Sequence, residues 1–188
     1  MRLSDGKLLW QTAVPSQGDN PQLFSDGQNV VVDSVQAGLT GLDPSDGAIR
    51  WGGQAETAGH GVLRRGAYYL YLPHEPYEPG GSSPAPVAYR ASDGVELWKV
   101  PITISSDLVA NENMPFANFG SGTTVALSQE DGHQLWANTD PSSAAFVVGA
   151  SPQMALVNKL DKPLDALDAM AGHALWSAAS AEFSGNSG

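Results

Sequence analysis

Gly41-Leu-Asp43-Pro-Ser-Asp46-Gly47-Ala-Ile-Arg-Trp51 is the stretch that decides the fold, because its Gly-x-x-x-Trp ending occurs five times along the 188-residue chain. Every one of the five tryptophans follows a glycine by four residues. The five copies are Gly6-Lys-Leu-Leu-Trp10, Gly47-Ala-Ile-Arg-Trp51, Gly94-Val-Glu-Leu-Trp98, Gly132-His-Gln-Leu-Trp136 and Gly172-His-Ala-Leu-Trp176. A period of about 40 residues predicts an array of small sheets, most simply a β-propeller.

Each copy has the pattern of a β-hairpin. Asp stands before the turn glycine in four of the five copies, and an Asp-Gly step suits a tight turn. Six residues before the glycine of each full copy is a small residue: Gly41, Ala88, Ala126 and Ala166. The strand before the turn carries this small residue, and the strand after it carries the tryptophan. Because neighbouring residues of a strand point to opposite faces, both faces of this strand are expected to be covered by adjacent blades.

The segments between the hairpins supply further strands. Short apolar runs lie at residues 30–32, 68–72, 146–148 and 154–157. They are continuous rather than alternating, which is typical of strands that are buried on both faces. We therefore predict an all-β fold, a β-propeller of four-stranded antiparallel blades.

The predicted propeller segment covers residues 1–178. Its four complete blades lie near 14–53, 54–100, 101–138 and 139–178, residues 1–13 form the outer strand of one more blade, and 179–188 form a flexible tail. An open row of blades exposes an apolar face at each end, and such faces favour association. We therefore expect the chain to be part of a larger propeller of seven or eight blades. A solitary four-bladed ring and self-association of two chains through the open blade faces are the alternatives.

Composition limits the partners. The net charge is −11 with 9 basic residues, which disfavours nucleic acids and anionic membrane surfaces. No apolar stretch approaches the ~18 residues that span a bilayer, so we expect no direct membrane insertion. Residues 1–6 lack the pattern of a signal peptide, and the residues alone leave the compartment unknown.

The pattern small-x-Asp-x-x-x-Gly-x-x-x-Trp resembles the tryptophan-docking motif of the PQQ-like (pyrroloquinoline-quinone-type) β-propeller repeats. Residues 41–51 and 166–176 match it best, whereas Arg90 and Ser128 replace the Asp in the other two full copies. The resemblance implies that each indole lies between blades, against the small residue and the glycine of an adjacent hairpin. The structural docking residues are then Trp10, Trp51, Trp98, Trp136, Trp176, Gly47, Gly94, Gly132 and Gly172.

The resemblance also implies a function. It favours a non-catalytic scaffold or sensor module that binds a protein or peptide, in an extracytoplasmic compartment such as the periplasm or cell envelope. The first alternative is a fragment of a quinoprotein dehydrogenase-type enzyme, in which a stacking tryptophan, a vicinal disulfide and a calcium ion hold the quinone. The chain has no cysteine, and the nearest calcium-like cluster is Asn111-Glu112-Asn113, which is equally an exposed turn. We therefore expect no catalytic residue, no cofactor and no metal.

The longest irregular segment, residues 73–86, is rich in Pro and Gly. Loops at one end of a propeller commonly carry binding function. The candidate partner-binding residues of this loop, for a cation or a basic peptide, are His74, Glu75, Tyr77 and Glu78; a solvated structural loop is the alternative. A third functional alternative is a small-ligand sensor that uses Tyr68, Tyr69, Tyr71 and Tyr77.

Overall fold

The computed structural model describes residues 7–15, 20–35, 37–54, 61–71, 85–101, 108–119, 122–140, 144–160 and 162–178. Their regular structure consists of sixteen strands in four four-stranded antiparallel sheets. This confirms the predicted all-β fold with four-stranded blades. Within these same ranges, nothing forms a helix of the length and apolarity needed to traverse a bilayer.

The strands are numbered in chain order, and each sheet is called a blade. Blade 1 contains β1 (Gln22–Ser25), β2 (Val30–Ser34), β3 (Gly38–Leu42) and β4 (Ile49–Gln54). Blade 2 contains β5 (Gly61–Arg64), β6 (Ala67–Tyr71), β7 (Pro86–Arg90) and β8 (Glu96–Lys99). Blade 3 contains β9 (Val109–Ala110), β10 (Pro115–Phe119), β11 (Thr123–Leu127) and β12 (Gln134–Thr139). Blade 4 contains β13 (Ala145–Ala150), β14 (Met154–Lys159), β15 (Asp165–Asp168) and β16 (Ala174–Ser177).

Strands that are consecutive in sequence are neighbours in every blade, which gives each blade two distinct ends. The first–second and third–fourth turns lie at one end, the hairpin end. The second–third turn and the connection to the next blade lie at the other, the connection end. The first strands of successive blades contact one another, β1 with β5, β5 with β9 and β9 with β13, so they face the hub and the fourth strands form the rim.

The hydrophobic core is divided into layers between successive blades. Val31, Leu39, Leu63 and Tyr68 belong to the layer between blades 1 and 2, and two further layers join blades 2 to 3 and 3 to 4. Strands β2 and β3 are buried at every residue, whereas β13 alternates between buried and exposed residues. The difference arises because both faces of β2 and β3 pack against other described segments, whereas Phe146 and Val148 on one face of β13 are exposed among the described residues.

Residues 7–15 cover the remaining face of blade 1. Trp10 and Val14 pack on Val30, Val32 and Leu42. Residues 1–13 were expected to form an outer strand, but the described part of that range, residues 7–13, contains no strand. A ladder needs a neighbouring strand, and none of the strands in the described ranges pairs with this segment.

The rim strands are also more exposed than the sequence predicts. Leu135 on β12 and Leu175 on β16, each directly before a tryptophan, expose 43% and 44% of their surface. The expectation that adjacent blades cover both faces therefore fails at these two leucines, whereas Leu97 on β8 is partly buried and packs against a core cluster. Blades fan outward from a hub, so the gap between them is widest at the rim.

Candidate docking surfaces

Trp51 on β4 lies between the backbones of two blades. On its own blade it is the direct cross-strand partner of Gly41, and the ring occupies the space that a side chain at Gly41 would fill. On blade 2 the ring stands against Gly94, and Nε1 donates a hydrogen bond of 2.9 Å to the carbonyl of Ala91. The indole is thereby buried with its single donor satisfied.

The same contact recurs at three other tryptophans. Nε1 donates a 2.9 Å hydrogen bond in each of the pairs Trp10–Pro44, Trp98–Gln129 and Trp136–Ala169. The rings stand against Gly47, Gly132 and Gly172, respectively. In all four cases the accepting carbonyl belongs to the residue three positions before the turn glycine.

The small residue lies on a different blade from the turn glycine. Ala88 pairs with Trp98 and Ala126 with Trp136 inside one sheet, whereas the turn glycine beside each indole belongs to the next hairpin along the chain. The family resemblance had implied that the small residue and the turn glycine lie on one adjacent hairpin. The ladder register shows instead that they lie on different blades, because the small residue and the tryptophan face each other across the turn of the same hairpin.

Trp176 faces a small residue of its own blade, as Trp51, Trp98 and Trp136 do, but it has no turn glycine beside its ring among the described residues. It pairs with Ala166, which is fully buried, yet the indole exposes 44% of its surface. None of the glycines in the described ranges stands against its ring. Phe146 and Val148 on β13 are also exposed, and Leu156 on β14 lies beside Ala166.

Polar contacts join the blades at the hairpin end. Asp26 in the β1–β2 turn accepts hydrogen bonds from the backbone N–H groups of Gln28 and Asn29, and one of 2.6 Å from Gly66 of blade 2. Burial by itself raises the pKa of Asp26, but these backbone hydrogen bonds outweigh it and hold the pKa below its usual value.

The Asn111-Glu112-Asn113 cluster belongs to this series of contacts. Asn111 Oδ1 accepts hydrogen bonds from the backbone N–H groups of Asn113 and Met114, and its Nδ2 donates to the Ser151 carbonyl of blade 4 at 2.8 Å. Glu112 pairs with Arg65 of blade 2 at 2.9 Å. These donors and acceptors are used in capping a turn and linking blades, so the set does not fit the calcium ion of the quinoprotein alternative.

A buried hydrogen bond connects blades 1 and 2. Tyr68 donates its hydroxyl hydrogen to Asp33 Oδ2 at 2.6 Å, while Asp33 Oδ1 is buried without a partner in the part of the chain that the structure describes. Burial raises the pKa of Tyr68, and the charge of Asp33 and its hydrogen bond raise it further.

The tyrosines of the ligand-sensor alternative do not form a surface. Tyr68 and Tyr69 are both fully buried, in two different layers between blades, and the Tyr69 ring lies 6.0 Å from that of Trp98. The side chain of Tyr71, and Tyr77 altogether, lie outside the described residues. The two that are described are core residues.

The candidate partner-binding loop leaves the sheet at the connection end. Tyr71 on β6 is the ladder partner of Pro86 on β7, so both ends of the intervening segment are held side by side. His74, Glu75, Tyr77 and Glu78 lie outside the described residues. The corresponding turns of blades 1, 3 and 4 are shorter, at residues 35–37, 120–122 and 160–164.

An ion-pair network lies at the connection end of blades 3 and 4. Lys159 Nζ is 2.6 Å from Asp165 Oδ2 and 3.1 Å from Asp140 Oδ2, and Lys162 Nζ is 2.8 Å from the same Asp140 oxygen. Burial lowers the pKa of Lys159, but the hydrogen bonds to Asp165 and Asp140 raise it more. Sequence reasoning missed this network, and the only signal was a local run of acidic residues after 160.

Replacement of Gly94 tests whether the indole contact needs a bare backbone. A methyl group there would lie 2.6 Å from the Trp51 ring, in a residue with φ of +74°. Gly27, with φ of +89° and nothing within 4 Å, is the matched control for the backbone cost alone. We expect Gly94→Ala to lower the free energy of unfolding by about 1–3 kcal/mol more than Gly27→Ala. Equal losses in urea titrations would contradict the close contact.

The two buried tyrosines give a prediction on pH. Burial is the leading cause of the raised pKa of both Tyr68 and Tyr69, so the folded chain keeps these protons above pH ~10 while the unfolded chain loses them. The free energy of unfolding should fall as pH rises beyond that point, and Tyr68→Phe or Tyr69→Phe should each reduce the slope by about 1.4 kcal/mol per pH unit.

At pH 7, Tyr68→Phe should also lower the free energy of unfolding by about 1–3 kcal/mol, because Asp33 loses its hydrogen-bond donor. Denaturant titrations at pH 7 and at several pH values above ~10 provide the test. An alkaline slope that is the same in the variants as in the original chain would refute the prediction.

Comparison with known proteins places these features in a family. The family profile described as outer membrane protein assembly factor BamB matches residues 2–72 and 80–188. BamB of Yersinia pestis is 26% identical over 186 residues, which cover 92% of this chain and 46% of that protein. The crystal structure of BamB from Moraxella catarrhalis has a TM-score of 0.61 at 19% identity and covers 84% of this chain and 47% of its own.

A designed protein has the same fold at the same size. The crystal structure of the computationally designed Ika4 protein has a TM-score of 0.60 at 12% identity, over 87% of this chain and 98% of its own.

The present chain spans about half the length of the BamB relatives. The repeated indole contacts, the four-stranded blades and the profile match over most of the sequence lead to one conclusion. The chain belongs to the PQQ-like repeat propeller family of the outer membrane protein assembly factor BamB.

Proposed function

We propose that this chain is a non-catalytic scaffold that binds a protein partner during outer-membrane protein assembly, in an extracytoplasmic compartment. The relatives support this role, since those proteins are named as outer membrane protein assembly factors. The connection end of the blades is the proposed binding surface.

One structural observation supports that surface more than any other. The pairing of Tyr71 with Pro86 holds a long segment at the connection end of blade 2, where the other blades have short turns. A loop whose two ends are fixed by a rigid sheet loses less freedom on binding than a free peptide. Binding residues are commonly found on such loops.

Exposed aliphatic side chains lie at the same end of blades 1 and 4. Val35 in the β2–β3 turn and Leu160 in the β14–β15 turn expose 55% and 63% of their surface. With Tyr77 they supply apolar groups of the kind that anchor a protein partner. Glu75 and Glu78, together with the net charge of −11, favour a partner with a basic surface.

The enzyme alternative has less support. A quinone-dependent enzyme needs a stacking tryptophan and a calcium site, but Trp51, Trp98 and Trp136 are used between blades and Asn111 caps a turn. The ligand-sensor alternative also has less support, because Tyr68 and Tyr69 are buried in the core and present no surface to a ligand. A sensor that recognises a protein or peptide differs from the scaffold only in the response that binding triggers.

Site-specific photocrosslinking compares the two ends of the blades. A photoreactive residue at Val35 or Leu160 probes the connection end, and one at Val95 or Met170, which are similarly exposed, probes the hairpin end. In cells that carry the chain, we expect crosslinks from positions 35 and 160 to a protein of the outer-membrane assembly machinery. Positions 95 and 170 should give none.

A loop exchange is the second arm of this experiment. Replacing residues 74–78 by a Gly-Ser segment of equal length should abolish the crosslinks from positions 35 and 160 without changing the thermal unfolding temperature. Crosslinks that arise from the hairpin end alone, or that survive the loop exchange unchanged, would count against the proposed surface.

A further inference from the structure

We propose that the residue two positions after the tryptophan is a second docking residue, which attaches the rim of one blade to the turn glycine of the next. Three of the four described junctions have one, namely Thr12, Val100 and Asn138. These contacts lie between blades, so they go beyond the binding surface of the proposed function. The second docking residues are positioning residues, because they fix where the neighbouring indole meets its hairpin turn.

Two of the second docking residues donate a hydrogen bond to the same kind of acceptor. Thr12 Oγ1 donates to the Gly47 carbonyl at 2.6 Å, and Asn138 Nδ2 donates to the Gly172 carbonyl at 2.9 Å. In both cases the acceptor is the turn glycine against which the preceding indole stands. Since two different side-chain types reach the same backbone atom, the contact follows from the position and not from one residue type.

Strand geometry explains the position. Side chains two residues apart on a strand point to the same face, roughly 6.6 Å from each other. Trp136 and Asn138 both lie on β12, so they reach blade 4 together. The indole donates to the Ala169 carbonyl, and Asn138 donates to that of Gly172 three residues later. One strand is thereby attached to one turn at two points.

The junction of blades 2 and 3 has an apolar form of the same contact. Val100 is half-buried and packs on the core layer between these two blades. A methyl group added at Gly132 would lie 2.7 Å from Val100 Cγ2, the same distance at which it would meet the Trp98 ring. The valine and the indole therefore cover the turn glycine together.

The junction of blades 1 and 2 has glycine at this position. Gly53 has a φ of +76°, and a side chain added there would meet nothing within 4 Å. The β3–β4 ladder is irregular beside it, between Leu39 and Thr40, and such a bulge turns one strand position aside. Among the described residues, this rim is therefore attached to the Gly94 turn by the indole of Trp51 without a second docking residue.

NMR of the unmodified chain tests the polar contact without any substitution. A hydrogen bond transmits a scalar coupling from the donor nitrogen to the accepting carbonyl carbon. We expect this coupling between Asn138 Nδ2 and the carbonyl carbon of Gly172. The coupling from Trp136 Nε1 to the Ala169 carbonyl is the internal control, because that bond has the same length of 2.9 Å. A spectrum that shows the control coupling and not the first would overturn the proposal.

Two variants at position 138 separate the donor from the shape of the side chain. Thr and Val have the same shape, but only Thr has a hydroxyl that can donate, as Thr12 does. We expect Asn138→Val to have an equilibrium constant of unfolding about three- to ten-fold larger than that of Asn138→Thr, which should rescue the contact. Equal constants for the two variants in urea titrations would contradict a hydrogen bond at this position.

An exchange at position 100 tests whether the contact can be transferred to another junction. Val62 is the matched control, because it is a half-buried valine that packs on the same core layer as Val100. A hydroxyl in place of a methyl group ordinarily lowers stability, since it loses water on burial. We expect Val62→Thr to raise the equilibrium constant of unfolding. Val100→Thr should leave that constant unchanged or lower it, because its hydroxyl can donate to the Gly132 carbonyl. Equal losses from Val62→Thr and Val100→Thr would refute a second docking position.

Discussion

The contact between an indole and the hairpin turn of the next blade is the interaction on which the arrangement of the blades depends. It joins a large flat ring to a turn that has no side chain at the point of approach, and it satisfies the indole N–H with a carbonyl three residues earlier. Each blade carries both halves of the contact, a tryptophan on its fourth strand and a glycine in its last turn. Spatial order therefore follows chain order, and any row of such blades has one end that offers a tryptophan and one that offers a turn.

Much of this could be predicted from the sequence, because the residues involved recur at fixed distances. The spacing of Gly47 and Trp51, repeated along the chain, indicates a hairpin, and the apolar runs between hairpins indicate two more strands. The small residue was assigned to the wrong blade, although a residue six before the glycine and one four after it face each other across the turn. The exposure of Leu135 and Leu175 depends on how far the blades diverge at the rim, which no local pattern records.

Contacts between blades that use polar side chains were not predictable in the same way. Asp33 and Tyr68, or Lys159, Asp140 and Asp165, occur once each and lack a repeated spacing. They meet because the sheets stack at a particular angle, and periodicity carries no information about that angle. The candidate loop residues His74, Glu75, Tyr77 and Glu78 remain a prediction from sequence, which the ladder pair Tyr71–Pro86 supports only by fixing where the loop begins and ends.

Exchange of the indole N–H protons, followed by NMR, tests the central contact most directly. All five tryptophans have a single such proton, so each reports on its own blade junction. In dilute solution the N–H protons of Trp51, Trp98 and Trp136 should be protected nearly to the limit set by global unfolding, and that of Trp176 should exchange rapidly. Rapid exchange at Trp51, Trp98 and Trp136, or equal protection at Trp176 in a monomer, would contradict the account.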